Sequence, residues 1–462
     1  MGRLAPADQP DHAFAVCLAT TGALLASAAG RRRDLRARAA SPALDQAVMS
    51  YGEAGREGGG TDPGGPMGTP QPGAGAEADG AGHPQEGRHA DWLELFFDLV
   101  FVALAAQLSH GLHGDPSLRD FAVFLGLYFP PWWLWINLMV SANLFADDRP
   151  RRRLLMLSAM LCIAVMACAV PGADTDRGSV YALGYAGTRL VLLGLWWPAT
   201  RYPEPLRVPR WRPLSYCLAS GLLWAASAAV PAPWQYVVWA VLIAAEMALL
   251  LSARGRGLPA RLDTGHIVER VGLFVIIVLG ESVIALVTSA DHVWTPRAGA
   301  VGVLGFVLLA ALWWSYFDFG STSAELMLAR ADDRRAYLLA RDVGGFLHFF
   351  VTAGVLCMAA GLATAVEEAD HAHLPTGAVW VLAGGLALYH AAHAGIALRY
   401  GRSPAAVAVW AVPGIGVPLL VVWAAGHLAP WLVVFLLAAE AIAHLLYARK
   451  LQRHRIAAAA TP

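Results

Sequence analysis

Residues 92–112 have the sequence WLELFFDLVFVALAAQLSHGL, an apolar run that contains only two acids, Glu94 and Asp98. An α-helix rises 1.5 Å per residue, so about 20 such residues cross the roughly 30 Å hydrocarbon core of a bilayer. The run therefore predicts a membrane-spanning helix. Because a lone carboxylate in hydrocarbon costs several kcal/mol, each acid should be paired, face a polar interior or lie near an interface.

Eleven further runs of similar length and apolarity follow, which predicts an all-α integral membrane protein with about twelve transmembrane helices. Glycines and paired prolines inside the runs are compatible with this, since neighbouring helices can satisfy the freed backbone groups. The twelve predicted runs are 92–112, 121–143, 154–170, 180–200, 214–230, 233–252, 267–288, 299–319, 341–364, 377–399, 405–424 and 430–448.

Composition excludes several classes of protein. Hydrophobic residues make up 57% of the chain and charged residues 15%, against about 45–50% and about 25% in soluble domains. The 34 basic and 34 acidic residues cancel, so no basic field is available to bind nucleic acid. The five cysteines are scattered, and no nucleotide-binding, zinc-protease or serine-hydrolase motif is present. We therefore expect no catalytic residue, no metal and no cofactor, and the chain is not predicted to be an enzyme.

The loops between the runs predict the orientation, because basic residues concentrate on the cytoplasmic side. Alternate loops and the C-terminal tail contain 21 basic residues, whereas the intervening loops contain only Arg119, Arg177 and Arg297. This split predicts a multi-pass protein of the bacterial inner membrane with both ends of its membrane core in the cytoplasm.

The two ends of the chain differ from this core. Residues 1–88 are rich in Gly, Pro and small or charged residues, which predicts a disordered N-terminal extension. Within it, residues 13–29 form a weak apolar stretch, for which an extra helix and a start codon placed too far upstream are open alternatives. Residues 451–462 are predicted to be a cytoplasmic tail.

Spaced matches between the two halves predict two six-helix membrane repeats, at 89–252 and 253–450. Because six is even, both halves enter the membrane in the same sense, so the repeats are predicted to be parallel. The matches keep their order along the chain: Glu94 with Glu269, Trp132-Trp133 with Trp313-Trp314, Asp147-Asp148-Arg149 with Asp332-Asp333-Arg334, Tyr185-x3-Arg189 with Tyr389-x3-His393, and Glu246 with Glu440.

Ionisable residues inside the runs are the candidates for an ion pathway. Glu94 and Asp98 share one face of the first helix, and Glu269 and Glu281 lie in the seventh, with Arg189 as the expected counter-charge. A structural alternative stays open, in which these groups form closed ion pairs or cap helices. Further polar membrane residues with the same two interpretations are Glu246, His348, His393 and Glu440.

Two motifs carry a family resemblance. Residues 92–102, the Ala146-Asp147-Asp148-Arg149 turn and residues 266–282, which include Glu269 and Glu281, resemble the bacterial low temperature requirement protein A (LtrA) family over roughly residues 90–450. The resemblance implies a polytopic inner-membrane protein linked by name to growth in the cold.

A second likeness concerns residues 96–101, FFDLVF, which are similar to the Phe-Ser-Asp motif of a potassium-channel family built from six-helix repeats. Phe97 replaces the serine of that motif. The likeness implies a path lined by the first and seventh helices.

Together these observations predict a channel or transporter for a small ion or solute. A non-transporting scaffold or sensor and, less well supported, a membrane-embedded enzyme are the alternatives. The expected partners are the lipid bilayer and the small ion or solute, with a homo-oligomer left open; no nucleic-acid partner is expected.

Overall fold

The computed structural model describes residues 92–144, 150–202, 207–252, 263–329 and 331–459, and every regular element within these ranges is helical. The predictions for residues 1–88 and for the Asp147-Asp148-Arg149 turn lie outside the described residues. The helices are α1 (Trp92–His110), α2 (Leu118–Leu144), α3 (Pro150–Ala169), α4 (Gly178–Trp196), α5 (Ser220–Ser227), α6 (Trp234–Ser252), α7 (Thr264–Val293), α8 (Pro296–Ser315), α9 (Thr322–Ala329), α10 (Asp333–Leu339), α11 (His348–Glu367), α12 (Thr376–Arg399), α13 (Pro404–Ala424) and α14 (Pro430–Ala459).

The number of helices that can cross a membrane is nine within the described residues, judged by length and composition. Each of the twelve predicted runs overlaps a helix, but the runs 180–200, 214–230 and 233–252 are not among the nine. Arg189 lowers the mean hydropathy of α4, and the run 214–230 is divided between a π-helical turn and the short α5. The fold is thus that of an all-helical, multi-pass membrane protein.

Helix α11 lies at the centre of the packing, and nearly all its residues are buried. It contacts α1, α2, α7, α8, α12 and α14. Two glycines allow α12 to approach closely: a Cβ on Gly361 would lie 2.5 Å from Leu382 Cβ, and one on Gly354 would lie 2.7 Å from the Gly385 carbonyl oxygen. Small residues at such crossings let helix backbones pack together in a membrane.

Local sequence fixes where several helices begin. Asp263, Thr295 and Ser403 precede α7, α8 and α13, and each side chain accepts a hydrogen bond from a backbone N–H three residues later. Pro130 and Pro131 lie inside α2 without ending it, as membrane helices tolerate. Residues 451–459, predicted as part of a tail, continue α14.

In the part of the chain that the structure describes, three π-helical turns interrupt the helices, at Leu214–Ala219, Tyr316–Ser321 and Ala340–Leu347. Such turns insert one extra residue into the helical ladder and occur often at functional sites. The last two lie against the same cavity, which is described below.

Candidate functional site

One cluster of charged residues joins the first turns of α1 to those of α7. We call Glu94, Asp98, His266 and Arg270 the α1–α7 network. The two acids are four residues apart on α1, and the two basic residues are four apart on α7, so each pair occupies one helix face. None of the four is more than 1% exposed. The structure therefore brings two of the predicted pathway acids together with partners from the other half of the chain.

Asp98 is held by two donors on one oxygen. Arg270 Nη2 and Trp135 Nε1 each donate a hydrogen bond of 2.8 Å to Asp98 Oδ1. Among the described residues, Asp98 Oδ2 and Arg270 Nη1 have no hydrogen-bond partner. The carboxylate is nevertheless neutralised by the guanidinium, because a 2.8 Å charge-assisted bond links them.

Glu94 contacts the same helix and one further arginine. Its Oε2 lies 2.9 Å from His266 Nε2 and 3.9 Å from Arg270 Nε, and its Oε1 accepts a 3.5 Å hydrogen bond from Arg152 Nη2. Asn143 Nδ2 lies 3.1 Å from His266 Nδ1. Because an amide nitrogen donates, Nδ1 is the acceptor and we assign the ring proton to Nε2, which donates to Glu94.

Arg189 lies in a second cluster, within the first half of the chain. Its guanidinium is fully buried, forms an ion pair with Glu246 and donates to Tyr185 Oη. The Tyr216 ring lies 4.9 Å from its Cζ, and Ser220 Oγ donates to the other oxygen of Glu246. Arg189 therefore pairs with Glu246 and is not the expected counter-charge of the acids of the first helix, where Arg270 contacts Asp98 and Glu94 instead.

Glu281 differs from the other predicted acids. It is half-buried in α7 and has no hydrogen-bond or ion-pair partner among the described residues. At 1.5 Å per residue it lies about 5 Å from the centre of the apolar run 267–288. Glu269, also half-buried, lies twelve residues earlier on the same helix.

His348 and His393 line a cavity of about 50 Å³ between α7, α12 and the two π-helical turns Tyr316–Ser321 and Ala340–Leu347. The Val343 carbonyl lies 2.8 Å from His348 Nδ1, and Tyr316 Oη lies 3.0 Å from its Nε2. A carbonyl only accepts, so we assign the proton to Nδ1, and Tyr316 donates to Nε2. These two contacts hold the ring in place between the turns Tyr316–Ser321 and Ala340–Leu347.

Glu440 lies between two histidines near the end of the chain. His444 Nδ1 is 2.7 Å from Glu440 Oε1, and His390 Nε2 is 3.3 Å from Glu440 Oε2. The other nitrogen of His444 lies 2.8 Å from the Trp410 carbonyl oxygen. His393, another of the predicted polar membrane residues, contacts the Tyr389 carbonyl through Nδ1. The cluster joins α12, α13 and α14.

Sequence reasoning missed the partners of the predicted residues. Arg270 and His266 show the same four-residue spacing as Glu94 and Asp98, and that shared spacing was the available signal. The sequence did not indicate the roles of Trp135 and Ser220. An indole or hydroxyl side chain inside an apolar run is as typical of packing as of hydrogen bonding to a charged group.

Comparison with known proteins places the chain in a family. A family model described as bacterial low temperature requirement A protein (LtrA) matches residues 89–444, so the chain belongs to the LtrA family. A protein of Rhizobium meliloti (strain 1021), described as uncharacterized, is 29% identical over 312 residues, which cover 60% of this chain and 74% of the relative.

Proposed function

We propose that this member of the LtrA family is a channel or transporter for a small cation or a proton, and that Glu281 is the group to which the ion binds. The observation that carries the proposal is the isolation of Glu281 among the described residues. Asp98, Glu246 and Glu440 each have a basic partner within 3.5 Å, whereas Glu281 has none.

The lack of a partner matters at Glu281 because the residue lies within an apolar run. An unpaired carboxylate within an apolar run is stable only if it binds a proton or a cation, or lies in a polar cavity. Closed ion pairs such as Asp98–Arg270 have no such requirement. Reversible binding and release at Glu281 is the step that transport needs.

The α1–α7 network has a different place in this proposal. Its paired charges favour one arrangement of α1 and α7 beside the path, and we place Glu94 and Asp98 near the cytoplasmic end of that path. Glu269 lies about 18 Å from Glu281 along the axis of α7, and we assign to it the first contact with the entering ion.

We also propose twelve crossings, arranged as two parallel six-helix repeats with both ends of the core in the cytoplasm. Three observations support this arrangement. All twelve apolar runs overlap helices, and the basic residues alternate between loops. In each half a buried glutamate in the second half of the sixth run contacts the fourth run, as Glu246 contacts Arg189 and Glu440 contacts His390.

Flux measurements in proteoliposomes test the transport proposal. The purified full chain is reconstituted, and proton and potassium gradients are imposed separately. Glu281→Gln removes the ionisable group and nearly preserves the side-chain volume, while Glu368→Gln, in a solvated loop, is the matched control. We expect one gradient to dissipate with the unsubstituted chain and with Glu368→Gln, and flux to fall at least tenfold with Glu281→Gln.

A second candidate is a non-transporting scaffold or sensor. The closed networks around Asp98 and around Arg189 favour it, because most of the membrane charge is already neutralised within the protein. Correctly folded protein that dissipates neither gradient would support this candidate, and equal flux with Glu281→Gln would remove Glu281 from the path.

The family description names a requirement at low temperature. We propose that the same transport step supports growth in the cold. Complementation of a strain that lacks the gene tests this: unsubstituted protein should restore growth at low temperature, and Glu281→Gln should not, at equal membrane abundance. Restoration by Glu281→Gln would separate the cold phenotype from ion binding.

A further inference from the structure

A buried glutamate with two imidazoles around it is the feature that the transport proposal leaves unused. Glu440, His390 and His444 are contributed by α14 and α12, and their ligand-type atoms lie within 4.8 Å of one another. His390 and Glu440 are buried and His444 is partly buried. Among the described residues Glu440 has no Arg or Lys partner.

The Arg189 cluster shows what this group lacks. Glu246 and Glu440 are each the last residue of a similar five-residue sequence, LIAAE at 242–246 and LLAAE at 436–440. Glu246 faces a guanidinium, which carries a permanent positive charge, whereas Glu440 faces two groups that are neutral in their usual metal-binding form. Among the described residues, the buried Glu440 Oε1 makes no hydrogen bond. A carboxylate beside two imidazoles in an apolar region can be neutralised by a protonated imidazole or by a bound metal cation.

We propose that His390, Glu440 and His444 bind a divalent transition-metal ion such as Zn²⁺. The ligands are His390 Nε2, a Glu440 carboxylate oxygen and His444 Nδ1. Two imidazole nitrogens and one carboxylate oxygen form a ligand set that zinc accepts with a fourth position left for an exchangeable ligand.

The distances agree with such a site. Zinc–nitrogen and zinc–oxygen bonds of about 2.0–2.1 Å in a tetrahedron place neighbouring ligand atoms roughly 3.3 Å apart. His390 Nε2 and Glu440 Oε2 are 3.3 Å apart. His444 Nδ1 and Glu440 Oε1 are 2.7 Å apart, which is shorter than this spacing, so the two side chains would move apart slightly if both bound one ion.

The surroundings of His444 also match those of a metal ligand. Metal-binding histidines usually donate their second ring N–H to a carboxylate or backbone carbonyl, which fixes the ring. His444 Nε2 lies 2.8 Å from the Trp410 carbonyl oxygen. On α13, a Cβ at Gly414 would approach His390 Cγ and His444 Nε2 to 3.0 Å each, so the glycine leaves room for both rings.

Zinc binding by the purified full chain tests the proposal. The protein is prepared with an affinity tag that contains no histidine, and in every sample His371 and His373 of the solvated loop are replaced by Asn, so that this loop cannot contribute. Metal is removed with a chelator, Zn²⁺ alone is titrated, and bound metal is measured by elemental analysis. We expect about one tightly bound Zn²⁺ per chain.

Variants identify the site. His390→Asn and His444→Asn should each weaken Zn²⁺ binding by more than about tenfold, whereas His393→Asn, one turn from His390 on α12, should leave it unchanged. Folding is followed by size-exclusion chromatography. If a variant does not fold, zinc X-ray absorption of the parent protein gives the same answer, since two imidazoles and oxygen ligands are expected.

Several outcomes would overturn the proposal. These are the absence of tight Zn²⁺ binding to folded parent protein, equal binding by His390→Asn and His393→Asn, or an absorption spectrum with sulfur or only water ligands. Absence of tight Zn²⁺ binding would mean that the cluster is an ion pair between protonated His444 and the Glu440 carboxylate. The result is independent of the transport proposal, because flux through Glu281 does not use these three residues.

Discussion

Arg270 Nη2 lies 2.8 Å from Asp98 Oδ1 and so joins α7 to α1 across 172 residues of sequence. Both side chains are at most 1% exposed. A buried ion pair of this kind adds little net stability relative to an apolar pair, because desolvation offsets the attraction. Its effect is on specificity: it favours the one arrangement of α1 and α7 in which the two charges meet.

Removal of one partner should therefore reduce the free energy of unfolding far more than removal of both. Arg270→Met leaves Asp98 buried without its counter-charge and should reduce the free energy of unfolding by about 3–5 kcal/mol. The double variant Asp98→Asn with Arg270→Met should recover much of that loss. Reversible unfolding in detergent micelles, analysed as a double-mutant cycle, measures both values.

An exposed ion pair provides the control for that cycle. Arg119 and Asp174 are 3.1 Å apart, but the arginine side chain is 71% exposed. Arg119→Gln should change the stability by less than about 1 kcal/mol. Strictly additive effects of the two substitutions in the Asp98–Arg270 cycle would show that the pair is not coupled.

Close packing of α11 against α12 depends on Gly361. Gly361→Ala would place a Cβ 2.5 Å from Leu382 Cβ, so the helices must separate, and we expect a loss of about 1–3 kcal/mol. Gly302→Ala in α8 meets no atom within 4 Å and is the matched control. Equal thermal stability of the two variants would contradict the close approach.

The Arg189 cluster should respond unequally to loss of the Glu246 carboxylate and to loss of the Ser220 hydroxyl that donates to it. Glu246→Gln leaves a buried guanidinium without its ion-pair partner, and we expect a cost of about 3–5 kcal/mol. Ser220→Ala removes only a hydroxyl donor to the carboxylate, so we expect the free energy of unfolding to fall by about 1–2 kcal/mol. Thermal unfolding of the two variants compares them, and a larger effect of Ser220→Ala would show that Arg189 does not depend on Glu246.

The sequence was sufficient for the helical membrane fold, because nine of the apolar runs coincide, within the described residues, with helices long and apolar enough to cross a bilayer. It was also sufficient to place Glu94 and Asp98 on one helix face, since that follows from helical periodicity alone. Both are local properties. The LtrA resemblance over roughly residues 90–450 is confirmed by the family match at 89–444.

Partner choice was not predictable in the same way. Arg270 and Arg189 are both arginines inside the membrane region, and only the packing of α1 against α7 decides which one neutralises Asp98. His390 and His444 are similarly brought to Glu440 by contacts among α12, α13 and α14. The predictions that failed therefore concerned contacts set by tertiary packing, whereas those that succeeded concerned local helical periodicity.

The number of crossings can be tested at two exposed positions, Asp176 and His371. The runs 180–200, 214–230 and 233–252, which are not among the nine candidate spans, lie between these positions. A count of twelve crossings and a count of nine therefore predict opposite results. With twelve crossings, six helices separate the positions and both lie on the same side of the membrane. With only the nine helices that satisfy length and composition, three helices separate them, and they lie on opposite sides.

Cysteine labelling distinguishes the two counts. All five native cysteines are replaced by Ala, and Asp176→Cys or His371→Cys is introduced singly. We expect a membrane-impermeant thiol reagent to label both positions in intact cells, because both lie in loops that contain few basic residues. Labelling of one position in intact cells and of the other only after lysis would contradict twelve crossings, and with them the parallel repeat, since only an even number of helices per half lets both halves enter in the same sense.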